Sequence, residues 1–305
     1  VRRFLDRYWY AYAMVLPVVA VIAVLVLYPL AQGVFFTFTN INEGNIANPV
    51  LDRPASYDVV GFENYLNVLS GGESYGAFWG TLVRTLIWTF ACVFFHYTIG
   101  LGLALLLNRQ VRGRSFYRVL LILPWAVPAF ISAFAWKYMF NAQYGIINQV
   151  LRSVGLPDPV WLGQNNWALV SVVIVNVWLG VPFMMVALLG GLQSIPGDLY
   201  EAAEMDGATP WQRFRHVTLP GLRSVSSTVI LLGIIWTFNM FPVIYLVAGP
   251  NPNARILVTY AFERFFSGAS RDYAIASTYG VLILSVLLVF AAAYRRALRK
   301  QGEVW

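Results

Sequence analysis

Along this chain, long runs without a charged residue alternate with short polar connections. Six runs stand out: Tyr8–Asn42, Thr85–Asn108, Val119–Trp136, Pro159–Gly197, Ser224–Ala254 and Tyr273–Tyr294. A helix needs roughly 20 mostly apolar residues to cross the hydrocarbon core of a bilayer. Allowing for loop residues inside the longer runs, the pattern predicts six helices, near residues 10–38, 80–108, 115–139, 167–193, 223–248 and 273–297. A membrane β-barrel would show short segments of alternating hydrophobicity instead, and the sequence has none. The expected fold class is an all-α integral membrane protein.

Composition supports that class. The chain is 59% hydrophobic and 11% charged, with a mean hydropathy of +0.63, whereas a soluble domain is about a quarter charged. Its 21 Lys and Arg are unevenly placed. Fourteen lie at the amino end (Arg2, Arg3, Arg7), the second connection (Arg109, Arg112, Arg114, Arg118), the fourth (Arg213, Arg215, Arg223) and the carboxyl tail (Arg295, Arg296, Arg299, Lys300). Lys and Arg favour cytoplasmic loops, so both termini are expected in the cytoplasm, and the net charge of +7 needs no nucleic-acid partner. The first apolar run is too long for a signal peptide and no small-residue cleavage site follows it.

The single cysteine, Cys92, falls inside the second span, which leaves no internal disulfide or cysteine-ligated metal site to expect. His96 and His216 have no acidic neighbour at metal spacing and read as packed or surface histidines. No nucleophile stands with a base, so no catalytic centre is expected. The segments 39–79, 140–165 and 249–272 are external connections, the last two each expected to carry a short interfacial helix, for example near Tyr260–Phe266.

One connection is different. Between the fourth and fifth spans lies DLYEAAEMDGATPWQRFRHVTLPGL, Asp198 to Leu222. Asp198 and Glu201 have the spacing of a reciprocal helix cap, and Gly207 suits the left-handed residue that closes a helix. Thr209, Pro210 and Gln212 then form a second start signal. Two short helices joined by a glycine elbow are expected. Ala202, Ala203, Gly207 and Ala208 would admit a partner backbone, Glu201, Glu204 and Asp206 offer negative charge, and Trp211, Phe214 and Val217 give an apolar side. Helices that rest on lipid are usually basic on their polar face; the first of these is acidic, which favours docking to a protein.

Glu201-Ala202-Ala203, three residues, Gly207, nine residues, then Val217-x-Leu219-Pro220 resembles the EAA motif of permease subunits in binding-protein-dependent ABC importers. LLILPWAVPAFIS (Leu120–Ser132), VNVWLGVPFMM (Val175–Met185) and LQSIPGDLYEAAEMDGA (Leu192–Ala208) resemble in particular the MalF-type permeases of maltose and malto-oligosaccharide importers. The resemblance covers roughly residues 80–300, without the extra leading helices and large periplasmic insertion of the enteric version. It implies a type I importer permease. Residues 1–79 would form the amino-terminal helix and first periplasmic loop, 80–300 the permease core with its coupling loop at 194–222, and 301–305 a cytoplasmic tail. The implied coupling residues are Glu201, Ala202, Ala203, Asp206, Gly207, Trp211 and Phe214.

Pro124, Pro128, Pro182 and Pro242 interrupt the third, fourth and fifth spans, with Asn176, Thr237 and Asn239 and the aromatic Trp125, Trp178, Phe183, Trp236 and Phe241 close by. Uncharged hydrogen-bonding groups beside rings suit a sugar, which shows hydroxyls at its rim and an apolar face. By resemblance, the sugar site implies Trp125, Ala129, Asn176, Leu179, Gly180, Phe183, Gly233, Trp236, Thr237 and Met240; the last two and Gly233 depart from the family pattern. A neutral di- or oligosaccharide of the maltose or maltodextrin type is the expected cargo, with trehalose, another glycoside or a polyol as alternatives. The chain has no Walker-type phosphate loop, so ATP and Mg would be bound by partners: a dimer of MalK-like ATPase subunits beside a MalG-like second permease and an extracytoplasmic sugar-binding protein. The expected location is the cytoplasmic membrane of a bacterium or archaeon. An ion-coupled secondary transporter would need carboxylates or inverted repeats within the membrane, and neither is visible.

Overall fold

A computed structural model describes residues 2–47, 52–71, 78–109, 112–163, 166–266 and 271–300. The described residues are helical, with no strand beyond two isolated bridges. In chain order the helices are α1 (Trp9–Phe36), α2 (Glu63–Ser70), α3 (Phe78–Asn108), α4 (Arg114–Ala126), α5 (Ala129–Met139), α6 (Ile146–Ser153), α7 (Trp167–Gln193), α8 (Gly197–Met205), α9 (Pro210–Gly221), α10 (Arg223–Phe238), α11 (Phe241–Ala248), α12 (Leu257–Phe266) and α13 (Tyr273–Lys300). Four are long and apolar enough to cross a membrane, and up to six spans result if each bent pair counts as one.

The chain forms two compact units. The first comprises residues 1–79 and 261–284. Its long helix α1 exposes apolar side chains all round, the pattern of a helix that faces lipid or a partner helix. Polar bonds fix the cap that follows: Asn64 donates to the carbonyls of Thr37 and Thr39 at 2.8 Å each, and the Tyr65 hydroxyl reaches Thr37 at 2.9 Å.

The second unit comprises residues 80–260 and 285–305 and contains two apolar clusters. One gathers Trp88, Phe140, Trp161, Val172, Val243 and Ile256; the other gathers Leu101, Met184, Met185, Leu188, Leu222 and Val229. Small residues bring α3 and α7 together. A Cβ on Gly100 would lie 2.7 Å from Met184 Cβ, so only glycine fits there, as at other close crossings of membrane helices.

Two expected helices are not continuous. The third span bends by 91° between α4 and α5. Pro128 disfavours helical geometry at the residue before it, and Val127 is extended (φ −79°, ψ 131°). The fifth span, expected to run through 223–248, ends at Phe238 and restarts at Phe241. Met240 leaves the helical region at ψ 77°, and Pro242 occupies the first turn of α11, where its missing N–H costs nothing. The interfacial helix expected near Tyr260–Phe266 is present and begins three residues earlier, at Leu257.

Candidate functional site

The ten positions implied for a sugar site line one cavity of about 380 Å³ in the second unit. Trp125 ends α4 and Ala129 starts α5, on either side of the break. Asn176, Leu179, Gly180 and Phe183 lie on α7 at helical spacing, so they share one face. Gly233, Trp236 and Thr237 do the same on α10, and Met240 sits in the second break. Leu179 and Met240 pack on the first apolar cluster while Phe183 and Met184 belong to the second, which places the cavity between them.

Phe183 is the centre of its aromatic wall. Its ring lies 5.0 Å from Trp236 and 6.4 Å from Trp125, tilted to both. Asn176 is almost fully buried; its Nδ2 has no nitrogen or oxygen partner among the described residues, and its side chain lies against the Cys92 thiol. A thiol is a weak hydrogen-bond partner, so this amide is poorly satisfied where it stands. Trp88 donates its indole N–H to the Thr237 carbonyl at 2.9 Å, adding to the Met240 N–H that reaches the same oxygen at 3.1 Å where α10 ends. Met184 reaches across to Gly233, where a Cβ would lie 2.6 Å from its terminal methyl.

The structure adds His96, set aside in the sequence as a packed histidine. It is buried and lines the cavity, and its Nε2 bonds the Asn176 carbonyl at 2.8 Å. The two residues are 80 apart in the chain, and no local signal links them. Other polar and aromatic candidates fall elsewhere. Asn239 is exposed and donates to the Ile235 carbonyl at 3.2 Å. Trp178 contacts Trp136 and lines a separate apolar groove of about 850 Å³. Phe241 stacks on Tyr245.

The polar connection folds as two helices with a glycine elbow. Helix α8 closes through Gly207 N–H to Glu204 and Ala208 N–H to Ala203, with Gly207 at φ +75°. The capping box at the start of α9 is present: Gln212 N–H donates to Thr209 Oγ1 at 3.3 Å, and Thr209 N–H donates to Gln212 Oε1 at 2.7 Å. The expected Asp198 cap is not. Helix α8 starts two residues sooner than that reading allows; Pro196 is its N-cap, and Asp198 lies in the first turn, where its charge faces the positive end of the helix.

Glu201, Ala202, Asp206, Gly207 and Trp211 are exposed, whereas Ala203 and Phe214 are half-buried. Glu204 pairs with Arg213 at 2.8 Å, whereas Asp198, Glu201 and Asp206 are exposed and make no ion pair among the described residues. Trp211 packs on Phe214, and both line a groove with Tyr200, Arg109 and Arg213. Met205, not singled out in the sequence, is 88% exposed and is the most prominent apolar side chain on α8.

Residues 96–301 match the family described as binding-protein-dependent transport system inner membrane component. The chain is 36% identical to the trehalose/maltose transport system permease protein MalF of Thermococcus litoralis, over 93% of this chain and 91% of that one. It is 32% identical to the maltodextrin transport system permease protein MdxF of Bacillus subtilis, over 92% of this chain and 66% of that one. In fold it is similar to a chain of a bacterial alginate ABC transporter, with a TM-score of 0.80, 21% identity and coverage of 100% and 99% of the two chains. With its helices, its paired α8–α9 connection and these likenesses together, the chain belongs to the inner-membrane permease components of binding-protein-dependent transport systems.

Proposed function

We propose that this chain is one permease half of an ATP-driven importer for a neutral di- or oligosaccharide of the maltose, maltodextrin or trehalose type. The carrying observation is the convergence of ten separately spaced positions on one cavity whose wall is aromatic and whose polar groups are uncharged or imidazole. Rings stack on sugar faces and amides orient hydroxyls. No Arg, Lys, Asp or Glu lines the cavity, which argues against phosphate esters and against coupling to ions. The names of the relatives, trehalose/maltose and maltodextrin permeases, point the same way.

The mechanism that fits is alternating access. An external binding protein delivers sugar to the outer mouth of a pathway shared with a second permease, and both termini of this chain lie in the cytoplasm. A pair of ATPase subunits, which bind ATP and Mg, closes and drives the exposed face of α8 and α9. Glu201 and Asp206 pair with basic groups of the ATPase groove; Ala202 and Ala203 allow close approach; Gly207 sets the angle between the helices; Trp211 and Phe214 brace the elbow from behind. Met205 adds an apolar contact at the tip.

The test is ATPase activity of the reconstituted complex with its binding protein across maltose, maltotriose, longer maltodextrins, trehalose and sucrose. Stimulation by one of these classes supports the reading and selects the cargo. Failure of all of them to stimulate, in a complex that assembles, would overturn it.

A further inference from the structure

We propose that His96 is a sugar-contacting residue of the cavity, held in place by Asn176 and admitted by Gly180. The proposal rests on the sugar reading above and assigns a contact that the sequence resemblance does not supply. Three observations carry it. His96 lines the cavity beside Asn176, Gly180 and Phe183. Its Nε2–H donates to the Asn176 carbonyl at 2.8 Å, a bond that fixes the plane and rotation of the ring. Its other nitrogen, Nδ1, makes no hydrogen bond to a described residue. An oriented ring with one nitrogen engaged and one free is a ready partner for a hydroxyl.

Gly180 explains how the ring reaches this place. A Cβ at position 180 would overlap Nε2, Cε1 and Cδ2 of His96. The glycine is therefore a notch for the imidazole, and its place in the inherited sugar site follows from the histidine behind it. Thr237 and Met240, where the chain departs from the family pattern, line the same cavity as His96.

The experiment is sugar-dependent uptake by the complete complex in proteoliposomes, using the sugar that stimulates the wild type. His96→Phe keeps a flat ring in the notch and removes both nitrogens. It should raise KM about tenfold, the loss of one well-made hydrogen bond, with a maximal rate within about twofold. His96→Gln, which restores a polar group, should recover much of that loss. Gly180→Ala should raise KM as His96→Phe does, and Gly180→Ala combined with His96→Ala should be no worse than Gly180→Ala alone, because the overlap is gone. An unchanged KM in His96→Phe overturns the proposal while leaving the importer reading intact. A fall in maximal rate with no change in KM in all variants shows packing alone and also overturns it. A wild-type complex indifferent to every sugar overturns the importer reading, and this proposal with it.

Discussion

Gly207 offers a test in which conformation can be separated from contact. It closes α8 at φ +75° and carries the N–H that bonds Glu204. A Cβ built there meets nothing within 4 Å, so within the chain a side chain costs only backbone strain. That strain is about 1–2 kcal/mol for an ordinary L-residue in the left-handed region, or about a 5–30-fold fall in the population of the elbow. Asn tolerates this region better than other residues, and β-branched residues tolerate it worst. Gly207→Ala should therefore lower binding-protein-stimulated ATPase activity of the complex by about fivefold or more. Gly207→Val should come close to abolishing it, and Gly207→Asn should stay near wild type. Assembly with the ATPase subunits is followed in parallel, because strain in α8 also weakens docking. Full stimulation in Gly207→Val would refute the elbow argument. Equal damage from Asn and Val would show that the glycine is needed for close approach of the partner, and the conformational account would be wrong.

Three further outcomes follow from the geometry. Phe183→Ala removes the ring shared by Trp125 and Trp236; each aromatic pair contributes about 0.5–1.5 kcal/mol, so sugar KM should rise about tenfold while the complex still assembles, and an unchanged KM would rule out stacking at this wall. Pro128→Ala removes the cause of extended geometry at Val127 and should straighten the third span, measurable as loss of uptake together with a longer distance between spin labels placed at residues 116 and 137. Asp272 caps α13 by accepting from Ile275 N–H at 2.9 Å, yet burial raises its pKa, against the bonds to Ile275 and Ala274 and the charge of Arg264. A carboxyl whose folded pKa is raised contributes stability below its unfolded pKa and loses it as pH rises through the folded value. Asp272→Asn keeps the cap and should shrink the fall in melting temperature between about pH 4 and pH 7; an unaltered pH profile would contradict this.

What the sequence revealed depended on whether the determining contacts were local. Gly207, Thr209 and Gln212 act within five residues of one another, and their geometry was legible from residue type alone. Asp198 was misread although it is also local, because the spacing of a cap does not say which residue starts the helix, and Pro196 starts this one. The cavity positions were legible only through resemblance: Asn176 on α7 and Thr237 on α10 share no pattern that composition or periodicity detects. His96 was not legible at all. Its role depends on the Asn176 carbonyl 80 residues away and on the space left by Gly180.

The two helix breaks supply an argument for the cavity that is independent of any relative. Within a membrane, irregular backbone persists only where it is buried in protein or lines a polar space. A lone proline explains only part of this, since Pro182 sits inside α7 without interrupting it. Of the four prolines in these spans, the two at breaks, Pro128 and Pro242, stand beside residues that line the same cavity: Val127, Pro128 and Ala129 at one, Met240 at the other. The second break is also held from outside its own helix, for Trp88 on α3 donates to the Thr237 carbonyl across a separation of 149 residues. A break needed only for packing would have no reason to coincide with a second break at the same cavity. Replacing Trp88 with Phe keeps the ring and removes that donor, leaving the Thr237 carbonyl with the Met240 N–H, a loss of one hydrogen bond of about 0.5–1.5 kcal/mol. If the break serves the cavity, the loss should appear in sugar affinity as the end of α10 shifts without its anchor on α3; if it appears only as lower thermal stability, the two breaks are packing features and their coincidence at one cavity carries no functional weight.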